Sequence, residues 1–167
     1  GMVLAQDETF LWPNDKKFFV ALSVQPNLIH QDDIKINIKD IRWHKYTQFH
    51  NLFNDKLNLQ ITKVRYENTS EVVGEAEISG IVKFSVRNQT IFNFYEPGFL
   101  IALYNGDEIV GITFTKTPSL RSHGTYDAEV NISSPIHFAT NVTVIPEINI
   151  LSEDAYYIED ADTKSIE

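Results

Sequence analysis

The chain has 167 residues and a formal net charge of −9, and 43% of its residues are hydrophobic and 12% aromatic. These fractions are ample for a packed core and exclude global disorder, while the acidic charge argues against nucleic acid and anionic membranes, whose recognition needs clustered Lys and Arg. The absence of cysteine excludes disulfides, a thiolate nucleophile and cysteine-based metal sites.

The first part of the chain predicts an irregular lead-in over residues 1–16, followed by two strands and a helix. The apolar run Phe18–Val24 predicts a buried strand. Ile34–Trp43 alternates apolar and polar residues at period two, which is the clearest strand signal in the chain. Between residues 43 and 53 the aromatic residues recur three to four positions apart, so we expect one short helix there.

The remainder of the chain predicts six further strands: Leu57–Tyr66, Ala76–Val86, Phe99–Tyr104, Glu108–Phe114, Tyr126–Ile132 and Phe138–Ile150. Residues 67–70 read as a turn. Asn105–Gly106 predicts a type I′ hairpin, because both central residues of that turn need a positive φ. Many short strands with almost no helix indicate an all-β, antiparallel sandwich or barrel.

The C-terminal residues 152–167 carry six acids and one lysine, a net charge of −5. This composition predicts an acidic, mobile tail, so we expect a single β domain over residues 17–151 between the lead-in and the tail. The apolar runs are too short to span a bilayer. With Met2 as the natural start we expect a cytoplasmic protein, and with a leader or anchor removed we expect the cell envelope or periplasm.

Residues 57 to 133 contain, in order, a leading strand, a Gly-initiated strand that ends in Asn and a small polar residue, an Ile-x-Leu-Tyr-Asn run and a last alternating strand: Leu59–Tyr66, Gly80–Thr90, Ile101–Asn105 and Tyr126–Ile132. This segment resembles the bacterial FxLYD domains and the related LEA14-like (LEA type 2) domains, although Ile101 and Asn105 replace the Phe and Asp of the family pattern. The resemblance implies an immunoglobulin- or fibronectin-like β-sandwich, usually non-catalytic and often associated with the cell envelope or with stress. It transfers no functional residues.

Candidate catalytic chemistry is absent from the sequence pattern. His44 and His50 are six residues apart, whereas zinc ligands on a helix stand three or four apart. No serine lies in a nucleophile elbow, and no nucleophile, base and orienting group can be grouped. We therefore expect no enzyme, no metal and no cofactor. Four Asn-x-Ser/Thr sequons would matter only in a eukaryotic secreted chain: Asn68, Asn88, Asn131 and Asn141.

Aromatic residues supply the candidate recognition surface: Trp43, Tyr46, Phe49, Phe53, Phe94 and Tyr95. Exposed aromatic side chains bind partners with little loss of entropy, but a short helix that caps one open end of the domain would bury them.

The expected function is a non-enzymatic β-sandwich binding or structural module whose partner is another protein. One variant is an acidic inhibitor that masks a basic partner. The alternative is a ligand-binding protein with an aromatic-lined pocket between the sheets. A cavity rimmed by Trp43 and Tyr95 would favour the ligand, and an exposed aromatic patch would favour the partner protein. The sequence does not indicate an oligomeric state.

Overall fold

The computed structural model describes residues 9–11, 17, 35–43, 58–73, 76–132, 139–149 and 152–158. The chain divides into two compact units, Gly1–His50 and Asn51–Glu167. The boundary between them falls inside the range 17–151 that the sequence analysis treats as one domain.

In the described residues, the second unit contains the following elements, in chain order: β1 Leu59–Val73, β2 Ala76–Asn88, β3 Asn93–Phe94, β4 Gly98–Asn105, β5 Glu108–Lys116, β6 Thr125–Ile132, β7 Asn141–Glu147, the 3₁₀ turn Glu153–Ala155 and β8 Tyr156–Tyr157. The strands form three sheets with the orders β1-β2-β6, β5-β4-β7 and β3-β8, and all of these pairs are antiparallel. The prediction of an all-β fold with almost no helix is confirmed, as are six strands of the second unit, with their ends shifted by a few residues.

β1 is longer than predicted and contains two β-bulges of one extra residue each, one between Thr62 and Arg65 and one between Asn68 and Glu71. The predicted turn at residues 67–70 is therefore wrong, since the strand passes through it. At the first bulge Lys63 has a φ of 54°. An unpaired extra residue reverses the side-chain phase of a strand, which explains two successive polar residues at 62 and 63.

β4 and β5 form the predicted hairpin, but with a different turn. Asn105 pairs with Glu108, so the two loop residues are Gly106 and Asp107. Gly106 has a φ of 61°, whereas Asp107 is not among the residues with positive φ. The turn thus follows the type II′ pattern, in which only the first loop residue needs a positive φ, and the type I′ prediction is wrong.

The core of the second unit is formed mainly by β2 and β4. Val82, Phe84 and Val86 alternate along β2 and are buried, and the whole run Phe99–Leu103 of β4 is buried. The rings of Phe84 and Phe99 lie 5.4 Å apart between centroids, which joins residues of the two three-stranded sheets. Each large side chain removed from water in this way contributes roughly 1.5–3 kcal/mol.

In the first unit, residues 35–43 do not form the strand that their periodicity predicts. Ile36 and Ile38 are 82% and 75% exposed, and Asp40 has a φ of 54°, which interrupts the extended backbone. Periodicity marks a segment that can pair but does not provide the neighbouring strand that pairing requires. The expected strand at 18–24 lies outside the described residues, as does the expected helix near 43–53 apart from Trp43.

Candidate recognition surface

A buried asparagine organises the chain between β2 and β4. Asn88 is fully buried. Its side-chain N–H groups donate to the main-chain oxygens of Phe92 (2.6 Å) and Arg121 (3.0 Å). Its side-chain oxygen accepts from the main-chain N–H (2.9 Å) and the hydroxyl (2.7 Å) of Thr90. These bonds replace a strand ladder and hold the loop that leads into β3.

β3 is fixed in turn by two segments from distant parts of the sequence. Phe94 exchanges main-chain hydrogen bonds of 2.9 Å with Leu120. On its other side β3 pairs with β8, and the main-chain N–H of Tyr95 donates to the oxygen of Ala155 at 3.1 Å. Residues 153–157 therefore form a turn and a paired strand where the sequence predicts a mobile tail; residues 159–167 lie outside the described residues.

Two aromatic pairs join β8 to the segment around β3. The rings of Phe92 and Tyr156 meet edge to face, with centroids 5.1 Å apart. The rings of Tyr95 and Tyr157 stack at 4.5 Å with an angle of 25° between their planes. Tyr95 is 49% exposed. The stacked pair is thus held in place on one side and open to solvent on the other.

Two exposed isoleucines lie close in sequence to the stacked tyrosines: Ile158 directly follows Tyr157, and Ile91 lies four residues before Tyr95. We call the four residues Ile91, Tyr95, Tyr157 and Ile158 the aromatic patch. Exposed apolar side chains that occur together, rather than singly, are typical of interaction sites.

Carboxylates flank the aromatic patch. Glu96 follows Tyr95 directly, and Asp154 precedes Ala155, whose oxygen accepts from Tyr95. Both acidic residues are exposed. The aromatic patch therefore combines apolar rings with negative charge at its margin.

The structure changes the set of candidate residues that the sequence predicts. Phe94 is wrong as a surface residue, because it is fully buried: it faces the core, whereas its neighbour Tyr95 is exposed. Trp43 lies in the first unit and is 88% exposed. Tyr46, Phe49 and Phe53 lie outside the described residues.

Sequence reasoning missed Ile91, Tyr157 and Ile158. The signal that could have identified the last two is the apolar triplet Tyr156-Tyr157-Ile158 inside an otherwise acidic segment. A solvated tail has no need of three large apolar residues in a row, so the triplet indicates packing.

A second surface feature lies on the sheet β1-β2-β6. It is an open depression of about 330 Å³ lined by Lys63, Arg65, Lys83, Phe84, Ser85, Asp127, Ala128 and Glu129. Neither Trp43 nor Tyr95 lines it. The depression therefore does not correspond to the aromatic-lined pocket that the ligand-binding alternative requires.

Opposite charges are paired around this depression. Glu67 accepts from Lys83 at 2.7 Å and lies 2.9 Å from Arg65, while Lys83 lies 3.8 Å from Glu129. The hydrogen bond with Lys83 lowers the pKa of Glu67, and the same bond raises the pKa of Lys83. The charges offset one another, so this face offers no concentrated charge for an ionic ligand.

Comparison of the chain with protein families, curated proteins and solved structures finds no match. Among the side chains that the structure describes, no three His, Asp or Glu residues converge as a metal site would require. No helix in the described ranges has the length and apolar character needed to cross a membrane.

Proposed function

We propose that the chain is a non-enzymatic β-sandwich binding module and that its aromatic patch binds another protein. The observation that carries this proposal is the stacked pair Tyr95–Tyr157, which is held by β3 and β8 yet remains partly exposed. Tyrosines that are already ordered lose little entropy on binding, and buried aromatic side chains dominate the binding energy of protein interfaces.

The chemistry around the aromatic patch favours a basic partner segment. Glu96 and Asp154 would attract Lys or Arg, and the net charge of −9 would steer such a partner towards the chain. An arginine can also stack on a tyrosine ring while it pairs with a carboxylate. We therefore expect the preferred ligand to combine Arg with an aromatic or aliphatic side chain.

The finer fold assignment is part of the same proposal. Two three-stranded antiparallel sheets, joined by the contact between Phe84 and Phe99, support a sandwich of the immunoglobulin or fibronectin type. The likeness to FxLYD and LEA14-like domains, and with it an envelope or stress role, rests on the sequence features alone. No described feature favours the ligand-binding alternative, which stays a prediction.

Selection from a random peptide display library tests the binding function even though the partner is unidentified. We expect the chain to select peptides that combine Arg with aromatic residues. Tyr95→Ser should weaken their binding about tenfold or more, because it removes an aromatic anchor. Ile109→Ser, at an exposed position of β5, is the matched control and should leave affinity unchanged.

Two results would contradict the proposal. One is a failure to select any peptide. The other is selected peptides whose affinity is the same for Tyr95→Ser as for the unsubstituted chain. Urea unfolding of each variant establishes that lost binding does not reflect lost folding.

A further inference from the structure

Among the strands that the structure describes, β6 is an edge strand with one open side. Within the described ranges it pairs only with β2, in the sheet order β1-β2-β6. Its side chains divide into two rows. Ala128 and Ile132 are buried, whereas Asp127 and Glu129 are exposed on the outer face. The unpaired main-chain groups of such an edge are able to accept a further strand.

The segment Lys35–Lys39 has the pattern of a strand but is not paired as one. Ile36 and Ile38 alternate with Lys35, Asn37 and Lys39, and both isoleucines are largely exposed. The positive φ of Asp40 ends the extended run. The five residues match the usual length of a strand. In an extended conformation their side chains form two rows: an apolar row of isoleucines and a polar row that includes two positive charges.

We propose that Lys35–Lys39 of a second copy of this chain adds as an antiparallel strand to the open edge of β6. Each copy carries both the segment and the edge, so a reciprocal exchange would close a two-fold symmetric dimer. The occupant thus supplies the main-chain partners that the edge lacks, as in other cases of strand addition.

The side-chain rows of the two strands are complementary in only one phase. When Ile36 and Ile38 continue the inward row of Ala128, Lys35 and Lys39 lie on the outer face with Asp127 and Glu129. A shift of one residue would place the lysines on the buried face. Opposite charges on neighbouring strands stabilise their pairing, so burial and charge select the same phase.

The carboxylates of β6 have capacity for these lysines. Asp127 accepts a hydrogen bond from the Ser85 hydroxyl, and Glu129 lies 3.8 Å from the Lys83 ammonium. An ionised carboxylate has about four acceptor positions, so each can accept a further donor.

In the described part of the chain, the two three-stranded sheets have three further edge strands, β1, β5 and β7. The charged side chains described as exposed on β1 are the basic Lys63 and Arg65, and β7 carries a single acid, Glu147. β5 is less suitable as well. Its exposed side chains are Glu108, Ile109, Phe114 and Lys116, which include one charge of each sign. A row of lysines would find no matching row of acids there. Charge complementarity therefore assigns the segment to β6.

Cross-linking tests the contact directly, because the chain has no cysteine of its own. Copies that carry Asn37→Cys are mixed with mass-tagged copies that carry Asn131→Cys, a position on the outer face at the end of β6, and treated with a short bismaleimide. We expect a cross-linked pair containing one copy of each. Asn37→Cys mixed with Lys116→Cys, on β5, is the matched control and should not cross-link.

Charge reversal tests the same contact in solution by sedimentation equilibrium. Lys35→Glu with Lys39→Glu should weaken dimerisation about 30-fold or more, because attraction becomes repulsion at two symmetric interfaces. Lys35→Arg with Lys39→Arg keeps the charge and should leave the dimer unchanged. These substitutions lie outside the second unit, so its urea unfolding should be unaffected.

Three outcomes would overturn the proposal: an unsubstituted chain that sediments only as a monomer, no cross-link between the Asn37→Cys and Asn131→Cys copies, or a dimer that is indifferent to charge reversal. In the first case Asp127 and Glu129 serve only to keep other strands away from the edge.

Discussion

The side chain of Asn88 satisfies main-chain groups that no strand reaches. Its loss in Asn88→Ala would leave the buried oxygen of Phe92 and the buried N–H of Thr90 without this partner, while the Arg121 oxygen keeps the Gly124 N–H as a donor. At about 1–3 kcal/mol for each group, we expect the free energy of unfolding to fall by about 3–5 kcal/mol. Urea unfolding with a fitted m-value measures this change.

Asn141→Ala is the control for that substitution. Asn141 is exposed, and its side-chain oxygen accepts from the neighbouring Val142 N–H at 2.8 Å. We expect a change within about 0.5 kcal/mol. If both substitutions lowered the free energy of unfolding by the same amount, burial of the Asn88 amide would not account for the stability that it contributes.

Lys63 has a backbone conformation that favours glycine. Its φ of 54° lies in the left-handed region, which disfavours residues with a β-carbon by about 1–2 kcal/mol. We expect Lys63→Gly to raise the free energy of unfolding by roughly 0.5–1 kcal/mol after the greater flexibility of glycine in the unfolded chain is subtracted. Arg65→Gly, beyond the bulge, should lower it instead. A loss of stability in Lys63→Gly would indicate that its side chain matters more than its backbone.

Among the elements, β8 decides whether the C-terminal segment belongs to the folded unit. A chain that ends at Leu151 lacks Tyr156, whose ring meets that of Phe92 edge to face, and Tyr157, which stacks on Tyr95. Such aromatic pairs contribute about 0.5–1.5 kcal/mol each beyond the area that they bury. We expect this chain to be about 2–4 kcal/mol less stable than one that ends at Ile158, as measured by urea unfolding. Equal stability would support the prediction of a free tail from residue 152.

Strands that contribute to a large sheet could be predicted from the sequence, whereas short or unpaired elements could not. Alternation identifies β2 and β6 because each has one buried face, and Asn105–Gly106 locates a hairpin. β3 and β8 are two residues each, which is too short for any period to be visible. They exist because tertiary contacts pair them.

Tertiary contacts also decide which residues of the candidate site are exposed. Aromatic residues could be identified as candidates, but their composition does not tell which ring is exposed. Phe94 and Tyr95 are neighbours in sequence, and only the pairing of β3 with Leu120 and β8 determines that the first is buried. Residues 35–43 show the opposite case: their alternating pattern predicts a strand, but the pattern does not provide the neighbouring strand with which they would pair.

For the molecule as a whole, the ion pairs of the outer face predict a dependence of stability on pH. The pKa of Glu67 is lowered from its ordinary value of 4.5 mainly by the hydrogen bond with Lys83. Its contribution to stability is therefore complete above pH 4.5 and is lost as the pH falls through the lower value of the folded state. The pKa of Lys83 is raised above 10.5, so its contribution is lost only as the pH rises beyond that value.

We expect Glu67→Gln to be less stable than the unsubstituted chain at pH 7 and to approach it as the pH falls below 4.5. Urea unfolding between pH 3 and pH 8 measures this difference. Because the pair is exposed, salt at about 1 M should narrow the difference at neutral pH. A difference that is independent of both pH and salt would show that the charge of Glu67 does not contribute.

The enclosure of Asn88 also bears on how the protein can be produced. Asn88-Gln-Thr90 is an acceptor sequence for N-linked sugars, and the nitrogen that would carry the glycan is the one that bonds Phe92 and Arg121 in the folded chain. Secretion from yeast or mammalian cells would expose this tripeptide to oligosaccharyltransferase before folding. A chain with a glycan on Asn88 could not bury this side chain and form its hydrogen bonds. Bacterial expression avoids the modification and therefore preserves the buried asparagine.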